Sequence, residues 1–149
     1  MQNLFDSSAK NEILQRLGAL TPEAARQWGK MSVPQMLAHC SVALESGTGD
    51  KPRPQKLIGK IFAPFVRKGL LGDKPFSKGS PTDPTFVVRD ERDFAREKDR
   101  LAGLVERFCA LGKDEACKQT HSFFGRMTGD EWGRLMYKHL DHHFRQFGG

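Results

Sequence analysis

Apolar residues recur at helical spacing along most of this chain. Ile13, Leu14, Leu17 and Leu20 follow Asp6 and Ser7, either of which can cap a first helix ending near Leu20. Thr21-Pro22-Glu23 has the order of a cap followed by proline at a first helical position, which predicts a short helical turn. Ser32 and Gln35 form a capping box for a second helix over residues 33–46, which stops at Gly47-Thr48-Gly49-Asp50. Residues 57–71 are helical again by pattern, with Pro64 expected to kink or break them. Residues 72–84 carry glycine and proline without periodicity and predict a long loop. Over residues 90–111 the stripe Phe94, Leu101, Leu104, Val105 and Phe108 predicts an amphipathic helix ended by Gly112. Thr128 and Glu131 open a final helix that runs to about Phe147. Phe86-Val87-Val88, the only strand-like run, is too short to set the architecture.

This order predicts an all-α fold, most simply a four-helix bundle. The stretch between the second helix and the one opening at Asp90 is a long crossover, so these two helices can run parallel. At 149 residues the chain fits one domain spanning residues 1–149. Hydrophobic residues make up 38% and charged residues 28%, which excludes a disordered chain. No apolar run approaches the ~18 residues needed to span a bilayer, so no membrane partner is expected. The first nine residues lack the basic-then-apolar order of a signal peptide, which makes the cytoplasm the expected location. Cys40, Cys109 and Cys117 include no Cys-x-x-Cys unit and are read as reduced thiols, the first two core-facing and the third near the surface.

The net charge of +6 is concentrated in residues 51–78, where eight basic residues stand against Asp73 alone. Such a stretch can bind nucleic acid, an acidic ligand or an anionic membrane surface; its plainest reading is a solvated rim. It carries Phe62, Phe65 and Phe76 but no nucleic-acid-binding motif, so nucleic acid is not the expected partner.

The histidines change the picture most. His139 and His143 fall one turn apart in the centre of the apolar face of the last helix. His142 lies at the edge of that face, and Asp141 on the side expected to meet solvent. Two buried imidazoles leave polar nitrogens that cost about 1–3 kcal/mol each if unpaired, and a shared metal ion satisfies both. The competing reading is two core histidines bonded to carbonyls or hydroxyls. A third ligand is then expected from another helix, and His39 sits beside the apolar face of the second. Three imidazoles with open positions are the arrangement of a catalytic site, for Zn²⁺, Ni²⁺ or Cu²⁺. Leu140 follows His139, which excludes a zinc-protease His-Glu-x-x-His motif, and no Glu-x-x-His supports a di-iron site.

Trp28-Gly29-Lys30-Met31-Ser32 with Gln35-Met36-Leu37-Ala38-His39-Cys40 resembles the second-helix motif of the DinB/YfiT-like superfamily. The run from His121 to Gly125, Glu131-Trp132-Gly133, and Tyr137 to Phe147 resemble one uncharacterised branch of it. The resemblance covers both ends of the chain well and residues 50–85 poorly. It implies a four-helix bundle with a long crossover, a homodimer, and a divalent metal held by His39, His139 and His143. It further implies a small-molecule substrate, with low-molecular-weight thiols used in S-transfer or isomerisation. His121 and His142 are not required by the general superfamily pattern and are candidate catalytic groups.

Two functions are therefore expected in competition. One is a metal-dependent enzyme, with Zn or Ni activating a thiol or water and with His121 or His142 as base. The other is a non-catalytic, metal-binding or stress-related dimer. Tyr137 falls off the main face and is not expected in the site, and Trp28 and Trp132 are expected as core anchors.

Overall fold

A computed structural model describes residues 2–80 and 82–149. Among them are five helices: α1 (Ser7–Ala19), α2 (Val33–Thr48), α3 (Leu57–Leu70), α4 (Phe94–Ala116) and α5 (Gly129–Arg145). A small antiparallel hairpin joins β1 (Thr120–His121) to β2 (Gly125–Arg126), so the chain is mostly helical. No helix of the described residues is long and apolar enough to cross a membrane.

Both capping boxes form. The Ser32 side chain accepts from the Gln35 amide, and Gln35 returns a bond to the Ser32 amide. Thr128 and Glu131 do the same for α5. α2 runs through Gly47 and Thr48 and ends at Gly49, whose φ of 81° is the left-handed cap conformation. α4 opens at Asp93, not Asp90, because the Asp93 carboxylate accepts from the Arg96 amide. Gly112, with φ 77° and ψ 177°, interrupts the helix where expected, and a short turn continues beyond it.

Four expectations need correction. Thr21-Pro22-Glu23 makes a turn and no helix. Asp6 occupies the N-cap of α1 without a side-chain cap bond. Pro64 lies inside α3 and does not end it. Proline loses the bond to the carbonyl four residues back and crowds it with its ring, but both halves of α3 are fastened by other groups. Asp141 is buried, because Arg16 of α1 covers it and donates to its Oδ1 at 2.9 Å, the same oxygen that accepts from Arg145. The expected loop over residues 72–84 is irregular where described, position 81 lying outside the described residues.

α2 packs on α4 and α5, and α1 packs on the same two helices. Leu37, Leu44, Leu101, Phe108, Trp132 and Phe144 fill the space between them. Glu45 of α2 and Glu97 of α4 meet at Arg100, which bridges the two helices through ion pairs. Cys40 is buried in the core, whereas Cys109 and Cys117 are half-buried. The Cys109 thiol donates to the Leu4 carbonyl, which holds it at the edge of the interior.

α3 stands outside this group and is fastened by polar contacts. Arg67 binds both carboxylate oxygens of Glu131 and donates to the carbonyls of Phe124 and Arg126. The buried Lys138 of α5 donates to the carbonyls of Leu70 and Gly72, capping the C-terminal end of α3. Thr128→Ala removes one side of the α5 capping box and is expected to lower stability by about 1 kcal/mol. A urea denaturation midpoint equal to that of the parent would contradict this.

Candidate metal centre

α2 carries His39 in the middle of a buried stretch with Met36, Leu37 and Cys40 around it. α5 carries His139 and His143 one turn apart on the facing side. The three imidazoles form a near-equilateral triangle, with ring centres 4.8, 4.6 and 4.7 Å apart. One ring nitrogen of each lies within 4.8 Å of the other two, so the three residues can hold a metal ion. His39 and His143 are buried and His139 is half-buried.

Hydrogen bonds determine which nitrogens face inward. His39 Nδ1 lies 2.8 Å from the Phe86 carbonyl, which can only accept, so Nδ1 carries the proton. Its Nε2 is then a lone pair in the neutral ring. His143 Nδ1 lies 2.9 Å from Gln146 Oε1. The orientation of that amide is set by its other end, since Gln146 Nε2 donates to the Trp28 carbonyl at 2.7 Å. His143 therefore also carries its proton on Nδ1 and turns Nε2 inward. His39 Nε2 and His139 Nε2 are 2.9 Å apart. That contact is either an N–H···N bond donated by His139 or two lone pairs aimed at a common cation. For His39 and His143 the outer nitrogen is bonded to a carbonyl group and the inner one turns towards the cluster, as imidazole ligands of one ion require.

Burial, together with the charges of its histidine neighbours, pushes the His139 imidazole well below its ordinary range. Burial also lowers His39, against the Phe86 carbonyl, and takes His143 down to about 3. All three are thus neutral near pH 7, the form that binds metal.

The other candidates separate. His142 is half-buried beside this cluster, its ring 5.1 Å from His143, 5.5 Å from Trp28 and 6.0 Å from Phe76. His121 sits in the hairpin, where its Nδ1 accepts from the amides of Phe123 and Phe124 at 3.0 and 3.1 Å. Tyr137 turns away and donates to Glu12 at 3.0 Å. Trp132 is fully buried as a core anchor, whereas Trp28 is half-buried at the edge, with Lys78 over its ring.

Three participants were not identified from the sequence. Gln146 follows His143 by three residues, a helical spacing that was its only signal. The Phe86 carbonyl belongs to a 3-10 turn (Pro84–Phe86) that leads into the short Phe86-Val87-Val88 run, and no pattern announces a backbone oxygen. Gly29, at φ 83°, leaves room for the Gln146 amide, into which a Cβ there would project. Two surface clefts lie elsewhere: one is formed by Gln55, Lys60, Arg67 and Phe124, the other by Asp90, Arg92, Arg96, Glu97 and Arg100. Neither is lined by the three histidines.

A family model described as a protein of unknown function, DUF1569, matches residues 2–148. Neither the curated proteins nor the solved structures yield a match to the chain.

Burial takes the His121 imidazole down to about 4 from its ordinary 6.5. A histidine lowered by folding binds its proton more readily in the unfolded chain, so its contribution to stability is complete above pH 6.5. That contribution is lost as the pH falls towards the folded value. Urea denaturation is expected to show falling stability from pH 6.5 to 4. His121→Asn, which keeps an acceptor near the place of Nδ1 and does not titrate, should decline less over the same window. Identical slopes would overturn the assignment.

Proposed function

The chain belongs to the DUF1569 family, and from the geometry of its histidines we propose that it is a divalent-metal-dependent enzyme of the DinB/YfiT-like superfamily. In this reading α1, α2, α4 and α5 form a four-helix bundle, and α3 with the loop after it is the crossover between α2 and α4. The observation that carries the proposal is the convergence of three imidazoles, with the outer nitrogens of His39 and His143 held by the Phe86 carbonyl and Gln146. His39, His139 and His143 are the metal ligands, and Zn or Ni suits an all-imidazole set. Phe86 and Gln146 are positioning groups, which keep the ligand rings in one tautomer and orientation.

Bound there, the ion supplies Lewis acidity that lowers the pKa of a coordinated thiol or water near neutral pH. The substrate class is a small molecule, with a low-molecular-weight thiol for S-transfer or isomerisation, or water for hydrolysis. His142, half-buried beside His143, is the candidate base. His121 is the weaker candidate, since its Nδ1 lone pair is already occupied by two backbone amides. A second reading, a metal-binding or stress-related bundle without turnover, draws on the burial of His39 and His143, which leaves only His139 of the three partly open.

Elemental analysis of the purified protein is expected to find about one divalent ion per chain, lost in His143→Ala. Gln146→Leu, with its helical content checked by circular dichroism, should bind zinc roughly 10–100-fold more weakly, by loss of the group that orients His143. No metal in the parent protein, and no uptake of added zinc or nickel, would overturn the centre. With the site loaded with cobalt, a thiolate-to-metal absorption band on adding cysteine supports the thiol enzyme; its absence, with no hydrolysis either, favours the second reading.

A further inference from the structure

The exposed large hydrophobic side chains among the described residues all belong to α3: Leu57, Ile58, Ile61, Phe62, Phe65 and Val66. Leu57 is 73% exposed and Phe65 83%. At ~100° per residue these six positions cover one half of the helix. α3 is mounted by its other, small side. Gly59 and Ala63 are its buried residues, and a Cβ on Gly59 would collide with the Phe123 backbone. Arg67 and Lys138 tie the helix down from that side, so the bulky face is held outward by bonds made elsewhere. Contiguous apolar surface of this kind marks a binding face.

Charge selects the occupant. Residues 51–72 hold six cations and no acid. Lys60, Lys68 and Lys74 are exposed and have no ion-pair partner among the described residues. Lys60 and Lys68 fall along one border of the apolar half, and Lys74 follows in the loop. A second copy docked on this face about a two-fold axis would bring two such cationic rims together, which is unfavourable. An anionic bilayer offers the complement to both features, a negative surface for the lysines and acyl chains for the phenylalanines.

We propose that α3 is an anionic-membrane docking helix. It lies in the headgroup plane with Phe62 and Phe65 inserted and Lys60, Lys68 and Lys74 at phosphate level. The attachment is peripheral, involves no spanning segment, and is independent of the metal centre.

Sedimentation of the full chain with vesicles of phosphatidylcholine containing about 30 per cent phosphatidylserine, against phosphatidylcholine alone, tests this. The expected result is binding to the anionic vesicles that weakens with added salt, and little binding to the neutral ones. Phe65→Asp should abolish binding, and Lys60→Glu with Lys68→Glu should weaken it on the order of tenfold or more. Each of these side chains is exposed, and circular dichroism establishes that each variant remains folded. Equal binding to both vesicle types, or binding to neither, overturns the proposal. So does a parent protein that sediments alone as a dimer and becomes monomeric in Phe65→Asp, which would assign the face to a second copy.

Discussion

Three imidazoles that face one another out of water impose the main constraint on this structure. A neutral histidine has one donor and one acceptor nitrogen, and both need partners where solvent is excluded. The protein provides partners for the outer nitrogens of His39 and His143 and turns the inner ones together. Burial meanwhile keeps the rings uncharged. An arrangement of this kind is stable only if the outer partners stay in place, and much of the irregular chain is devoted to that.

The segment before α2 is an example. Its Trp28 carbonyl receives the Gln146 side chain, the Gln27 amide donates to the Gln146 carbonyl at 2.7 Å, and Gly29 makes room for the contact. The chain leaving α1 is thereby stitched to the last turn of α5, where His143 needs its acceptor. On the other side, the Pro84–Phe86 turn is held by Asp83, which accepts from the Thr85 amide and pairs with Lys56 at 2.6 Å. Arg53 stacks on the Phe86 ring 4.4 Å from its centre. The basic residues at the start of the 51–78 stretch thus divide their work: Arg53 and Lys56 brace the turn behind His39, while Lys60 and Lys68 remain free on α3.

α3 follows a different rule from the other helices. They are held by apolar burial, and their large side chains point at one another. α3 is held by guanidinium, ammonium and amide groups acting on backbone carbonyls, with a glycine against the hairpin, and this leaves its large side chains in solvent. Proline is tolerated within it because the helix does not depend on an unbroken backbone ladder for its place.

The local features were legible in the sequence because their causes are local. Both capping boxes, the glycine end of α2, the Gly112 interruption of α4, and the one-turn spacing of His139 and His143 rest on contacts within four residues. The placement of His39 beside the apolar face of its helix was enough to nominate it as the third member of the cluster. What tertiary structure alone decided are the groups that act across long separations. The Phe86 carbonyl reaches His39 from 47 residues away, Arg16 covers Asp141 from 125, and Lys138 caps α3 from 68. A side-chain pattern shows which face of a helix is apolar. It does not show which backbone oxygen will lie against that face, or which charged residue another helix will bury, because those depend on how the elements pack.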